Sequence, residues 1–206
     1  MPNRSAKVPQ KSRIQHQNQA VILKAALEVF SAFGYRGTTV DQIAAKARLS
    51  KPNVLYYFKR KEDIYVAVLE HTLDEWLKPL RMLDGNGDPI IELTRYIGEK
   101  LDMSFANPAA SRLFANEILH GAPHIQKFLH GPLRELVEEK SQVMRQWIAL
   151  EKIKPVDPPH FIFAIWAVTQ HYADFSTQVE AVLGQADRKD QIKQAVTEIL
   201  LRGLKT

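Results

Sequence analysis

The sequence predicts an all-α protein in which a small N-terminal domain of three helices precedes a larger helical domain. Apolar residues recur at spacings of three and four along most of the chain, which is the period of an amphipathic helix. Alternating runs of Val, Ile and Thr, which are typical of strands, are nearly absent. Positive charge is concentrated at the start of the chain, so the small domain differs from the rest in charge.

The composition is that of an ordinary globular protein. Its 206 residues are 45% hydrophobic and 25% charged. Cysteine is absent, which excludes disulfides and cysteine-bound zinc or iron–sulfur clusters. No uninterrupted apolar stretch approaches the ~18–20 residues of a membrane span, and no secretory h-region follows the basic start. We therefore expect a cytoplasmic protein with no cofactor, no metal and no membrane partner.

The distribution of charge predicts a domain that binds a polyanion. Residues 1–61 contain 12 Lys and Arg and only 2 Asp and Glu, a net charge of +10; the whole chain is +5, so residues 62–206 carry −5. The alternative is a solvated basic tail, but residues 14–61 alone still carry +6. We predict a basic disordered arm over 1–17, a DNA-binding domain over 18–61 and a second helical domain over 62–206.

Three helices are predicted in the DNA-binding domain. The first runs from about 18 to 33, and Gly34 ends it. Thr38 or Thr39 caps the second helix, and Ser50 caps the third, which has Pro52 in its first turn. Two short helices joined by a tight link have the proportions of a helix-turn-helix motif.

The third helix presents a polar face that suits DNA. Val54, Leu55 and Phe58 are predicted to face the core, while the opposite face offers an amide, phenols and a cation for phosphate oxygens and base edges. The alternative is an ordinary exposed polar face with one tyrosine half-buried. The predicted DNA-binding residues are Thr38, Thr39, Ser50, Lys51, Asn53, Tyr56, Tyr57 and Lys61.

Six further helical stretches are predicted in the second domain. Pro79 should kink or fray the end of the first of them, and Gly131 with Pro132 should interrupt the fourth. The stretches cover about 61–82, 90–105, 108–119, 124–150, 160–183 and 187–204.

Several strings in residues 14–70 resemble the DNA-binding domain of the TetR family of bacterial transcriptional regulators. They are Ala-Ala-Leu at 25–27, Phe-Gly-Tyr at 33–35, Gly-Thr-Thr-Val at 37–40 and Leu-Tyr-Tyr-Phe at 55–58. The last string departs from the Tyr-Tyr-His-Phe of many members. The resemblance implies an all-helical regulator that usually represses and holds a small effector in its C-terminal body. It also implies a homodimer through the helices near 160–183 and 187–204, which would bind an inverted-repeat operator in double-stranded DNA.

The second domain resembles members of this family that regulate pyrimidine utilisation. The resemblance is carried by Ile-Trp-Ala-Val-Thr-Gln-His-Tyr-Ala-Asp-Phe at 165–175 and Gln-Val-Glu-Ala-Val at 178–182. It implies that a pyrimidine such as uracil or thymine is the effector and that the protein controls pyrimidine catabolism.

A flat, neutral ring needs an aromatic platform and a side chain that both donates and accepts hydrogen bonds. Trp166, Gln170 and Asp174 lie on one stripe of a predicted helix and are candidate effector contacts. Trp76, on the helix that follows the DNA-binding domain, is a candidate opposite wall. The alternative is that these residues belong to the core or to the dimer interface.

Three other functions are open to this sequence. The first is a TetR-like repressor that is released by a different small aromatic effector. The second is a small helical enzyme acting on nucleobases, which would need a catalytic pair that the sequence does not offer, so we expect no enzyme. The third is an architectural DNA-binding protein without an effector, which would bind with strong salt dependence and little sequence preference.

Overall fold

The computed structural model describes residues 10–184 and 188–205, with side chains from residue 14 onward. Within these residues all regular secondary structure is helical, which confirms the predicted all-α class. The chain divides into two compact units between Leu69 and Glu70, so the boundary falls inside a helix rather than before it. In the described residues, no helix is both long and apolar enough to cross a membrane.

The first unit contains three helices and the beginning of a fourth. They are α1 (Gln10–Gly37), α2 (Val40–Ala47), α3 (Lys51–Tyr57) and the start of α4 (Lys61–Arg81). Its core includes Ile22, Phe30, Ile43, Val54 and Ile64, all fully buried.

The predicted disordered arm over 1–17 is wrong for residues 10–17, because α1 begins at Gln10. This segment lacks an apolar stripe, but its Gln, Lys and Arg residues have high helix propensity and no Gly or Pro interrupts them. Residues 1–9 of the predicted arm lie outside the described part of the chain.

The end of α1 and the two caps confirm the predicted local structure. Gly34 has φ 68 and ψ 173, a conformation close to glycine-only, and it interrupts α1. Thr39 caps α2 in a capping box with Gln42. The Ser50 side chain caps α3 by accepting from the backbone N–H of Asn53 at 3.3 Å. These features produce the predicted helix-turn-helix.

The second unit contains the rest of α4 and the helices that follow it. These are α5 (Pro89–Ala106), α6 (Pro108–Leu119), the single turn α7 (Gln126–Phe128), a π-helical turn (Leu129–Leu133), α8 (Arg134–Ala149), α9 (Pro158–Asp174), α10 (Ser176–Leu183) and α11 (Lys189–Leu201). Helix α5 lies in the core, where Leu93, Tyr96, Ile97 and Leu101 are buried and pack with residues of α9 and α11.

One predicted helix in this unit is wrong, and one predicted interruption is present. The helix predicted over 160–183 is two helices, because Phe175 leaves the helical conformation at φ −113 and ψ 31. Gly131 and Pro132 interrupt the α-helix as predicted, through a π-helical turn that accommodates the proline, which lacks the backbone donor that an α-helix requires.

Candidate DNA-binding surface and effector site

Helix α3 presents the polar face that the sequence predicted. Val54 is fully buried and fixes the helix in the first unit. Lys51 and Asn53 are exposed, and the Tyr56 side chain is 72% exposed. A cation, an amide and a phenol therefore reach solvent from one short helix, as hydrogen bonding to phosphates and base edges requires.

Two residues of α3, Lys51 and Tyr57, make side-chain contacts with other helices of the first unit. Lys51 Nζ lies 2.9 Å from a carboxylate oxygen of Asp41, and both side chains are at least half exposed, so DNA phosphates can compete for the ammonium group. Tyr57 is half-buried, and its hydroxyl accepts a hydrogen bond from Asn18 Nδ2 at 2.9 Å. The phenol of Tyr57 is therefore oriented by α1.

Two of the predicted DNA-binding residues make hydrogen bonds within the first unit instead of presenting their polar groups to DNA. Thr38 is 1% exposed, and its hydroxyl donates to the carbonyl of Gly34 at 2.7 Å. Lys61 Nζ donates to the carbonyls of Tyr35 at 2.7 Å and Thr38 at 2.8 Å, and it lies over the Tyr35 ring. These polar groups connect the end of α1 to the starts of α2 and α4, because backbone carbonyls at a helix end need partners.

Of the other predicted residues, Thr39 and Ser50 are exposed caps, so their hydroxyls are shared with the backbone. Two further exposed cations lie beside the motif: Lys59, which follows α3 and was expected to meet the flanking DNA backbone, and Arg48, in the turn between α2 and α3, which was not predicted. The positive charge of the segment was the signal that could have found Arg48.

A cluster of polar and aromatic side chains lies in the second unit. Trp76 from α4 packs edge-on against Phe114 of α6, with ring centroids 5.6 Å apart. Lys100 from α5 is only 4% exposed, and its Nζ lies 5.1 Å from the centroid of the Trp76 ring. The ammonium group makes no hydrogen bond within the described part of the chain.

Burial lowers the pKa of Lys100 from 10.5 to about 8, and the nearby Asp174 carboxylate raises the pKa and so offsets part of this effect. Asp174, the last residue of α9, accepts a hydrogen bond from the buried hydroxyl of Ser111. The structure thus brings two predicted residues, Trp76 and Asp174, to the same lysine.

Trp166 lies at the other end of the predicted stripe. Its Nε1–H donates to the hydroxyl of Tyr96 at 2.6 Å, and burial raises the pKa of that phenol. Trp166 also lines a groove of about 480 Å³ with six other residues. They are Leu129, Leu133, Arg134, Val137, Glu138 and Phe163.

Gln170 lies on α9 between Trp166 and Asp174. Helices α5 and α9 run past each other in the same direction, since Tyr96 contacts Trp166 and Phe105 contacts Tyr172. By this register Gln170 is level with Lys100, one helical turn from both Trp166 and Asp174. Gln170 is half-buried and its amide makes no hydrogen bond to another described residue.

The sequence did not predict Lys100 or Ser111 as part of this cluster. A lysine on an amphipathic helix usually lies in solvent, and its burial here depends on the packing of α4 and α9 against α5. The spacing of Tyr96 and Lys100, one turn apart on α5, is the only sequence signal that associates them.

Large apolar side chains are exposed on the last helices. Val182 of α10 is 75% exposed and Ile199 of α11 is 72% exposed, and Phe175 between α9 and α10 is more than half exposed. Such a group of apolar surfaces on neighbouring segments is typical of an interface.

The fold is that of a protein with a small helix-turn-helix unit and a second, larger helical unit. Residues 22–68 match the model of bacterial regulatory proteins of the tetR family, and residues 69–206 match that of the YcdC-like protein C-terminal region. The chain belongs to the TetR family of transcriptional regulators.

Two relatives of this chain are named transcriptional regulators. The chain is 45% identical to the HTH-type transcriptional regulator RutR of Escherichia coli, over 95% of this chain and 94% of RutR. It is 31% identical to the HTH-type transcriptional repressor NicS of Pseudomonas putida, over 65% of this chain and 62% of NicS.

Solved structures confirm the fold. A TetR-like regulator from Rhodococcus superposes with a TM-score of 0.67 at 21% identity, covering 96% of this chain and 98% of that one. AibR, in a complex with isovaleryl coenzyme A and operator DNA, superposes with a TM-score of 0.67 at 17% identity, covering 88% and 97%.

Proposed function

We propose that this protein is a repressor that binds an inverted-repeat operator and is released by a pyrimidine such as uracil or thymine, and so controls pyrimidine catabolism in the bacterial cytoplasm. The observation that carries the proposal is the cluster of Trp76, Lys100 and Asp174: a buried aromatic face, a buried donor and a half-buried acceptor. The resemblance of residues 165–175 to regulators of pyrimidine utilisation supports the class of ligand. The 31% identical NicS is itself named a repressor.

The DNA-binding step follows from the dimer. Two copies of α3, one from each protomer, enter successive major grooves about 34–36 Å apart, so the operator is an inverted repeat. The contacting residues are Lys51, Asn53, Tyr56 and Tyr57, with Thr39 and Ser50 at the helix caps. The dimer forms through the exposed apolar side chains of α9, α10 and α11.

The effector acts through α4. This helix carries Trp76 in the second unit and contains residues of both units. A ligand bound by Trp76, Trp166, Gln170 and Asp174 changes the DNA-binding equilibrium only through its different affinities for the two conformations of the dimer.

Thermal unfolding with a panel of pyrimidines, purines and their breakdown products tests the effector class. A ligand at 100 times its Kd stabilises the folded protein by about 2.7 kcal/mol, and each kcal/mol raises the Tm of a chain of this size by about 2–4 °C. We expect a rise with uracil or thymine and release of operator DNA by the same compounds. A rise only with another aromatic compound would replace the pyrimidine by that effector.

Variants of three residues separate the two sites. Gln170→Ala should weaken pyrimidine binding and spare operator binding. Tyr57→Phe or Lys51→Met should weaken operator binding and spare pyrimidine binding, measured by fluorescence anisotropy of labelled DNA. A folded variant that loses both activities equally would contradict the separation of sites.

A further inference from the structure

Lys100 and Asp174 are opposite charges that belong to one cluster of side chains. Lys100 Nζ lies over the Trp76 ring, Trp76 packs against Phe114 of α6, and Ser111, one helical turn before Phe114, donates to Asp174. The two charges form no ion pair within the described part of the chain. Oppositely charged side chains attract each other most strongly where solvent is excluded. Because no direct ion pair joins these two groups, each charge is available to a polar ligand.

Each charge is held in position by its own neighbour. The Lys100 ammonium rests over the Trp76 ring, with Nζ 5.1 Å from its centroid. Asp174 Oδ1 accepts the hydrogen bond of Ser111, which leaves Oδ2 as an acceptor without a hydrogen bond from another described residue. The pair therefore offers one donor and one acceptor, both oriented before a ligand arrives.

We propose that Lys100 and Asp174 recognise the adjacent carbonyl and N–H of a ring amide: Lys100 Nζ donates to the carbonyl oxygen, and Asp174 Oδ2 accepts from the ring N–H. This inference rests on the proposed function and names the part of the effector that the site reads. The two protein charges cancel, so the ligand is neutral. The Trp76 ring lies beside the same ammonium and provides a flat surface for the ligand ring.

The proposal predicts which ligands are rejected. A ring whose N–H is methylated leaves the carboxylate without a donor, and a buried polar group without its partner strongly disfavours the complex. Gln170, level with Lys100, can contact a second edge of the ring, but it is not required for the pairing with Lys100 and Asp174.

Isothermal titration of the full-length protein with uracil, 1-methyluracil and 3-methyluracil tests the proposal. We expect one of the two N-methyl compounds to bind at least tenfold more weakly than uracil. Lys100→Met and Asp174→Asn should each weaken uracil binding at least tenfold. Asp174→Asn should cause no further loss for the N-methyl compound that already lacks the donor. The matched controls Lys152→Met and Asp190→Asn remove exposed charges of the same unit and should bind uracil as the unmodified protein does.

The outcomes separate this inference from the proposed function. If uracil binds the unmodified protein and both substitutions leave its affinity unchanged, the pairing is wrong and the pyrimidine effector stands. If both N-methyl compounds bind as tightly as uracil, the pairing is wrong whether or not the variants fold. If the unmodified protein binds neither uracil, thymine nor any other ring amide, the pairing and the pyrimidine effector fail together, while operator binding by α3 is unaffected.

Discussion

The charged form of the Lys100 side chain is disfavoured by its burial. Because burial disfavours the ammonium form, its pKa falls from 10.5 to about 8, and Asp174 restores only part of the loss. Below pH 8 the side chain is protonated in both folded and unfolded chains, so the folded state carries the full penalty. As the pH rises from about 8 to 10.5, the folded state sheds its proton first and the penalty disappears.

The first prediction concerns this penalty. Lys100→Met should be more stable than the unmodified protein at pH 7 by about 3 kcal/mol, on the basis of 1.36 kcal/mol per pKa unit. The difference should shrink as the pH rises toward 10. Urea unfolding at both pH values measures it, and Lys152→Met, which removes an exposed charge, should show no such trend. A difference that stays constant with pH would contradict the assigned burial of the charge.

A second residue-scale prediction separates stability from DNA contact. Lys61 was predicted to bind DNA, but its ammonium donates to the carbonyls of Tyr35 and Thr38. A hydrogen bond to a fully buried charged group contributes about 1.5–3 kcal/mol. Because Lys61 is only half-buried, water offsets part of its two bonds, and Lys61→Met should lower the free energy of unfolding by about 2 kcal/mol in total. The exposed neighbour Lys59 is the control, since Lys59→Met should change DNA affinity more than stability. Equal stability of the two variants would show that Lys61 does not connect the helices.

At the scale of elements, two glycines in helices should respond in opposite ways to the same substitution. Gly34 has φ 68, and a Cβ added there would have no atom within 4 Å, so Gly34→Ala meets backbone strain alone. We expect it to destabilise the protein by about 1–3 kcal/mol. Gly98 lies inside α5 without a positive φ, and a Cβ added there would also have no atom within 4 Å. Gly98→Ala should therefore stabilise the protein by about 0.5–1 kcal/mol. Thermal unfolding of both variants checks the pair; a loss of stability at Gly98 would reveal packing that the structure does not contain.

Elements whose ends are decided locally were predictable from the sequence. Gly34, Thr39 and Ser50 act through their own backbone or through residues three positions away, so composition and spacing identify them. The break at Phe175 has no such local signal, because neither glycine nor proline is present there. Charge alone suggested the arm over 1–17, and the helix propensity of residues 10–17 opposed it.

The residues of the candidate effector site likewise include some that the sequence predicted and some that it did not. Asp174 was predicted because it shares one helix face with Trp166 and Gln170. Trp76 was predicted because it is a tryptophan on the helix that follows the DNA-binding domain. Lys100 and Ser111 were not, because their roles depend on helices brought together from distant parts of the chain. The DNA-binding face shows the converse error: Thr38 has the right side chain in the right motif, yet the fold buries it.

At the scale of the whole molecule, the proposed dimer would make operator binding depend on the association of two copies of the chain. A single α3 contacts one half-site, and two half-sites read together bind far more tightly because the second contact is intramolecular. The exposed apolar side chains on the last helices are therefore expected to affect operator affinity although they touch no DNA. Burying a large apolar side chain contributes about 1.5–3 kcal/mol.

The last prediction tests this dependence. Val182→Asp and Ile199→Asp each place a charge on an exposed apolar position of the proposed interface, and a buried unpaired carboxylate strongly disfavours association. We expect each variant to elute as a monomer in size-exclusion chromatography with light scattering, and to bind operator DNA at least tenfold more weakly with unchanged helicity. Ile91→Asp alters another exposed apolar residue, 66% accessible, in the first turn of α5 and outside the proposed interface, and this variant should remain dimeric. Dimers of all three variants would place the interface elsewhere, whereas monomers that keep full operator affinity would show that one recognition helix is sufficient.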